Sequence, residues 1–155
     1  MAEAGYDDHD LYYDELGKPH LKDEHYISIT HSFNFTAIII SKHDVGIDIE
    51  KQRDKIMKIA NKFTPLDEYH TLANEEALIR KLTIVWGAKE SVYKLYAQPG
   101  LAFLQHINVT DFDFDDAETT AKVTFKGQES WYHINFLEFE DFTCVYAQPL
   151  KANFN

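Results

Sequence analysis

A change of hydrophobic period constrains this chain more than any other feature. From about Glu75 to Ala97, Leu78, Leu82, Val85, Trp86, Tyr93 and Tyr96 fall into one broad helical stripe. Gln98-Pro99-Gly100 stops the pattern. On either side of it, short runs alternate every second residue, the period of a strand. Gly87 interrupts the helix at a cost of roughly 1 kcal/mol relative to alanine, which predicts that another element approaches the backbone there.

The strands can be placed one by one. Leu11 to Tyr13 reads as a short strand closed by a turn at Gly17-Lys18-Pro19. Tyr26 to His31 alternates Ile27 and Ile29 with Ser28 and Thr30, a half-buried pattern, and Thr36 to Ser41 is a more continuous apolar run. Val45 to Glu50 alternates again. Ile56, Ile59, Ala60 and Phe63 then recur at helical spacing, and Thr64-Pro65-Leu66-Asp67 has the composition of a helix start. Beyond Gly100 the candidates are Ile107 to Thr110, Ala121 to Phe125, Ser130 to Phe139 and Phe142 to Gln148, the last two joined by a tight turn at Glu140-Asp141. Strands, helices, then antiparallel strands make an α+β fold, an antiparallel sheet with helices packed on one face. The 155 residues fit one domain, expected over residues 11–155, with residues 1–10 expected to be frayed.

Charge and composition exclude several function classes. The net charge of -11 argues against nucleic acid, whose phosphates need a basic surface. The longest aliphatic stretch, Ala37 to Ile40, is too short to span a bilayer, and the acidic first ten residues read neither as a secretory signal nor as an anchor. The single cysteine, Cys144, allows no disulfide within the chain and sits in an apolar run; a cytoplasmic location is the expectation. Lys51, Arg53, Lys55, Lys58 and Lys62 hold a third of the chain's 15 Lys and Arg. They read either as a solvated face or as a docking site for a phosphate or an acidic partner.

Four groups of residues could carry chemistry. Asp48 and Glu50, two apart on a strand, project from one face. Such a pair suits a hard divalent cation such as magnesium, or is simply a solvated strand face. Trp86, Glu90 and Lys94 share one helix face. There Glu90 and Lys94 form either a surface ion pair worth a few tenths of a kcal/mol, or a third carboxylate and a cation beside the first two. His31, with Thr30 and Ser32, ends a strand, where it is either a hydrogen-bonded structural residue or part of a phosphate site. Gly17-Lys18-Pro19 is a turn. The other histidines lack metal-ligand spacing, one cysteine excludes the usual zinc clusters, and no glycine-rich phosphate loop occurs.

Taken in order, G-K-P at 17–19, I-S-I-T-H-S at 27–32, G-I-D-I-E at 46–50 and W-G-A-K-E-S-V-Y-K at 86–94 resemble the signature set of the phosphopantetheinyl transferase superfamily, surfactin-synthetase-activating type. The resemblance covers roughly residues 12 to 110. It implies a magnesium-dependent transfer of 4′-phosphopantetheine from coenzyme A to a serine of an acyl or peptidyl carrier protein. By the same resemblance Asp48, Glu50 and Glu90 would hold the metal, and Lys89 and Lys94 would contact phosphate. His31 with Thr30 would bind the 3′-phosphate, and Lys18 and Pro19 would border the adenine. Glu90 would also be the group to accept the serine proton, and Lys94 the one to neutralise the leaving group. Thr30 stands where the family usually has serine. Two-lobed members carry a lobe before the G-K-P motif, whereas sixteen residues precede Gly17 here. The resemblance therefore implies a homo-oligomer, a second lobe, or a partial chain; a non-catalytic module that binds coenzyme A or a partner is the competing expectation.

Overall fold

The computed structural model describes residues 2–65 and 74–150. Every strand pair among them is antiparallel. A small hairpin joins β1 (Leu11–Tyr13) to β2 (Pro19–Leu21), and a longer one joins β3 (Tyr26–Ser32) to β4 (Phe35–Ser41). Next come β5 (Gly46–Lys51), the short helix α1 (Ile56–Ile59) and the long helix α2 (Glu75–Tyr96). The chain continues through α3 (Phe103–His106), β6 (Ile107–Val109), β7 (Glu118–Phe125), β8 (Gln128–Phe139) and β9 (Phe142–Pro149). The main sheet runs β5-β9-β8-β7-β6, each neighbour antiparallel. With α2 packed on it, this is the α+β architecture expected.

Helix α2 holds the molecule together. Asn74 caps its start, the Oδ1 accepting from the Ala77 N–H at 2.8 Å, and Ala97 in the left-handed region ends it. Leu82, Val85, Ala88, Val92 and Leu95 pack on Ala121, Val123, Ile134, Phe136, Val145 and Ala147 of the sheet. Two glycines bring helix and sheet unusually close. A Cβ on Gly46 would lie 1.9 Å from the Ser91 carbonyl oxygen, and one on Gly87 would lie 2.6 Å from Val145 Cγ2. The approach that Gly87 predicts is therefore made by β9.

Several expectations are refined. The helical spacing from Ile56 to Phe63 yields one α turn and then a 3-10 turn over Ala60–Lys62; Lys55 supplies no side-chain cap, and burial of Ala60 and Phe63 docks the segment. The turn composition of Thr64-Pro65-Leu66-Asp67 runs into residues 66–73, outside the described residues. Residues 2–10, for which fraying is expected, hold two 3-10 turns, and the Tyr6 hydroxyl donates to Asp23. Glu140 and Asp141 both have positive φ, as a tight two-residue hairpin requires.

Strand β3 departs from the half-buried pattern. Ser28 and Thr30 are buried along with Ile27. Strand β5 is the edge of the main sheet, and β3 lies beside it without a backbone ladder. Instead Ser28 Oγ accepts from the Ile47 N–H at 2.9 Å, and Thr30 Oγ1 from the Ile49 N–H at 3.1 Å. Two hydroxyls thus satisfy the outward donors of the edge strand, which would otherwise be buried without partners.

Candidate active site

Asp48 lies on β5 under α2, at the place where Gly87 lets the helix come close; a Cβ on Gly87 would be 3.7 Å from Asp48 Oδ2. Asp48 is only 5% exposed, and its Oδ2 is buried with no hydrogen-bond partner. Burial pushes its pKa up to about 9, and the negative charge of Glu50 adds to the effect; Lys94 opposes it, and Glu90 adds a smaller repulsion. Glu90 is also raised, by burial above all; Lys94 pulls it down, and the charge of Glu50 adds a smaller push upward. The three carboxylates therefore share one electrostatic neighbourhood.

Their fixed partners differ. Glu50 Oε1 accepts from the Trp86 indole N–H at 3.0 Å, and that indole packs between Phe63 and Phe103. Lys94 Nζ donates to the Ile47 carbonyl at 2.8 Å, contacts the Ile29 carbonyl at 3.4 Å and lies 3.6 Å from Asp48 Oδ1. Lys94 thus reaches across to β5, while its charge still pulls the Glu90 pKa down. Among the described residues, no group of three or more His, Cys, Asp or Glu side chains is placed to hold a metal ion. Asp48 and Glu50 form the close pair, and Glu90 acts on them through its charge. A hard cation such as magnesium takes one or two protein carboxylates and fills its remaining positions with water and phosphate oxygens. A buried carboxylate oxygen with no donor beside it fits that chemistry.

Lys94 also borders a cavity of about 580 Å³. Lys18, Pro19, His31, Tyr93 and Ser28 line it with Lys94. Three of the sequence motifs thus meet around one space. Lys18 is held in place by Asp44, at 3.1 Å, and by the Leu95 carbonyl at the end of α2, also at 3.1 Å. His31 is exposed on the cavity wall.

Two expected residues stand apart. Thr30 accepts the Ile49 N–H and does not line the cavity. Lys89, next to Glu90 in sequence, turns into the core at 1% exposure and donates to the carbonyls of Phe63 and Phe103. In this structure it ties α2 to the segments flanking it. Trp86, Ser28 and Asp44 do more here than their sequence context indicates. Trp86 sits in the motif, but nothing in its spacing reveals a bond to Glu50. The hydroxyl of Ser28 reads as solvent-facing, and Asp44 carries no motif signal.

The family profile for the 4'-phosphopantetheinyl transferase superfamily matches residues 44–147, spanning β5, α2 and all of the main sheet but the end of β9. A curated relative, "4'-phosphopantetheinyl transferase gsp" of Aneurinibacillus migulanus, is 34% identical over 82 residues. That match covers 52% of this chain and 35% of the relative, so the chain spans about a third of that protein's length. The profile covers well over half of the chain, and on that ground the chain belongs to the 4'-phosphopantetheinyl transferase superfamily.

Proposed function

We propose that this chain carries out, or contributes the main catalytic surface for, magnesium-dependent transfer of 4′-phosphopantetheine from coenzyme A to a carrier-protein serine. The observation that carries the reading is the buried Asp48–Glu50 pair, with an unpartnered oxygen, next to Lys94 and a cavity bordered by Lys18, Pro19 and His31.

The cavity has room for an elongated phosphate-bearing ligand, and its polar wall is cationic at Lys18 and Lys94. Pro19 and the aromatic ring of Tyr93 offer apolar surface to a base. In the proposed assignment His31 and Thr30 serve the 3′-phosphate, His31 directly and Thr30 by fixing the strand that presents it. Asp48 and Glu50 would hold the metal, with Glu90 bringing its charge beside them; bound there, magnesium would supply neutralisation of the pyrophosphate charge. Lys89 supports the helix that carries Glu90; a direct phosphate contact, which the resemblance implies, would require it to leave its two carbonyls.

Phosphoryl transfer depends on alignment and on neutralising charge. The serine oxygen forms a new bond to the phosphorus on the pantetheine side of the pyrophosphate. The bond from that phosphorus to the bridging oxygen breaks, and 3′,5′-adenosine bisphosphate leaves with the electron pair. Lys94 meets the developing charge. Glu90, whose carboxyl is raised by burial, accepts the serine proton.

Coenzyme A titrated calorimetrically into the protein, with magnesium or with chelator, tests the site. Binding that needs magnesium and disappears in Asp48→Asn is expected. Binding indifferent to both would remove the metal assignment. That no group of three acids among the described residues is placed to hold a metal favours one second reading, a module that binds without transferring. That reading is distinguished by magnesium-dependent coenzyme A binding with no mass gain on any apo carrier.

A further inference from the structure

Lys18 borders the 580 Å³ cavity, yet its charge is already engaged. Its Nζ lies 3.1 and 3.3 Å from the two carboxylate oxygens of Asp44 and 3.1 Å from the Leu95 carbonyl. An ammonium group has three donors, and these three oxygens surround them. Leu95 is one residue from the end of α2, where the last carbonyls carry partial negative charge, so it pulls on the ammonium in the same sense as Asp44. The Lys18 side chain is only 15% exposed, and a part-buried pair of this kind is screened less by salt than one on the open surface.

Asp44 is itself fixed. It lies two residues before β5, and its Oδ1 accepts from the Val45 N–H at 3.0 Å, which holds the carboxylate toward Lys18. Lys18 and Val45 line the cavity, whereas Asp44 does not; it stands behind the lysine. A phosphate entering the cavity therefore meets Lys18 together with a carboxylate that competes for the same donors and repels the incoming charge.

We propose that Asp44 sets the affinity of the cavity for coenzyme A by holding Lys18 in an ion pair with which a ligand phosphate must compete. The proposal rests on the transferase reading for the identity of the ligand and adds a residue that limits how tightly the ligand is held. Restraint at this end suits the reaction. The nucleotide end is common to coenzyme A and to the product, 3′,5′-adenosine bisphosphate. Extra hold on it strengthens both alike, which lowers KM without raising kcat and slows product release.

A purely mechanical role for the pair gives a different expectation. The hairpin β1–β2 forms a sheet of its own, and Lys18 fastens it to the end of α2 and the approach to β5. As a fastener alone, the pair would hold one wall of the cavity in place, and loss of either partner would loosen that wall and weaken binding. Competition predicts opposite signs for the two partners.

The test is calorimetry with magnesium present, using coenzyme A and, separately, 3′,5′-adenosine bisphosphate, on wild type, Asp44→Asn, Lys18→Met and Glu129→Gln. Thermal melts run in parallel. Asp44→Asn is expected to tighten both ligands about tenfold, the order of one charge interaction at partial burial. Its melting temperature should fall slightly, because the ion pair is lost while asparagine still accepts from the Val45 N–H. Lys18→Met should weaken both ligands. Glu129→Gln, which removes a negative charge from β8 away from the cavity lining, should leave both affinities unchanged. Asp44→Asn binding that is unchanged or weaker overturns the proposal, as does an equal gain in Glu129→Gln; neither result touches magnesium-dependent transfer. The expected gain, with no mass added to any apo carrier, leaves the role of Asp44 standing and removes the transferase reading. Coenzyme A bound by none of the four proteins overturns both.

Discussion

Asp48 concentrates the chemistry of this chain in one side chain. Its carboxyl is buried beside two other acids and one lysine, a placement that opposes ionisation and disfavours folding unless a cation arrives. Glu90, on the helix opposite, is the group proposed to take the serine proton. Glu90→Gln keeps the shape and removes the base, so transfer should fall at least about 100-fold in a turnover assay, with the melt unchanged within a degree or so. An unimpaired rate would exclude that role. Trp86 gives a subtler expectation. Trp86→Phe retains ring packing on Phe63 and Phe103 but deletes the N–H that fixes Glu50. Partners that orient a metal ligand are worth about tenfold or more in metal affinity. The magnesium concentration for half-maximal transfer should therefore rise about tenfold, while the KM for coenzyme A at saturating magnesium stays put.

The contacts between elements explain which parts of the fold the sequence discloses. The 3.6-residue period of α2 and the two-residue period of the strands come from which side faces the core, so they are legible without coordinates. The polar face of β3 is not, because Ser28 and Thr30 are buried to serve the donors of β5, and alternation alone marks them as solvent-facing. Close approach is half legible. Gly87 betrays itself as a glycine inside a helix, whereas Gly46 at a strand's start does not. Gly46→Ala drives a methyl into the Ser91 carbonyl, a backbone atom that cannot move aside. Its unfolding free energy should drop by about 3 kcal/mol in a denaturant titration, the upper range for overpacking. A loss under ~0.5 kcal/mol would show that β5 and α2 can separate freely. Arg80, on α2, holds Glu138 of β8 through two hydrogen bonds of 2.9 and 2.7 Å and keeps its carboxyl below the usual range. A depressed carboxylate stabilises above its unfolded pKa, and that contribution is lost as pH falls through the folded value. Arg80→Met should therefore lower the melting temperature at neutral pH, and the gap to wild type should close in acid. A gap that widens in acid contradicts the assignment.

For the whole molecule, the order of motifs along the chain is what the sequence conveys best. Residues from the first hairpin, β3, β5 and α2 are scattered between Lys18 and Lys94, and the fold gathers Lys18, Pro19, His31 and Lys94 on one cavity with Asp48 behind Lys94. Which motif residues face that space depends on rotation about each element, and there sequence reading runs out. Lys89 and Lys94 look equivalent in the motif, but only Lys94 reaches the site; Lys89 lies against carbonyls in the core.

The most direct measurement is the intact mass of an apo carrier protein after incubation with this chain, coenzyme A and magnesium. The mass of one phosphopantetheine group should be added, and both chelator and Asp48→Asn should prevent the gain. A carrier left unmodified by a folded wild-type protein that binds coenzyme A, across carriers of the fatty-acid, polyketide and peptide-synthetase types, would contradict the account.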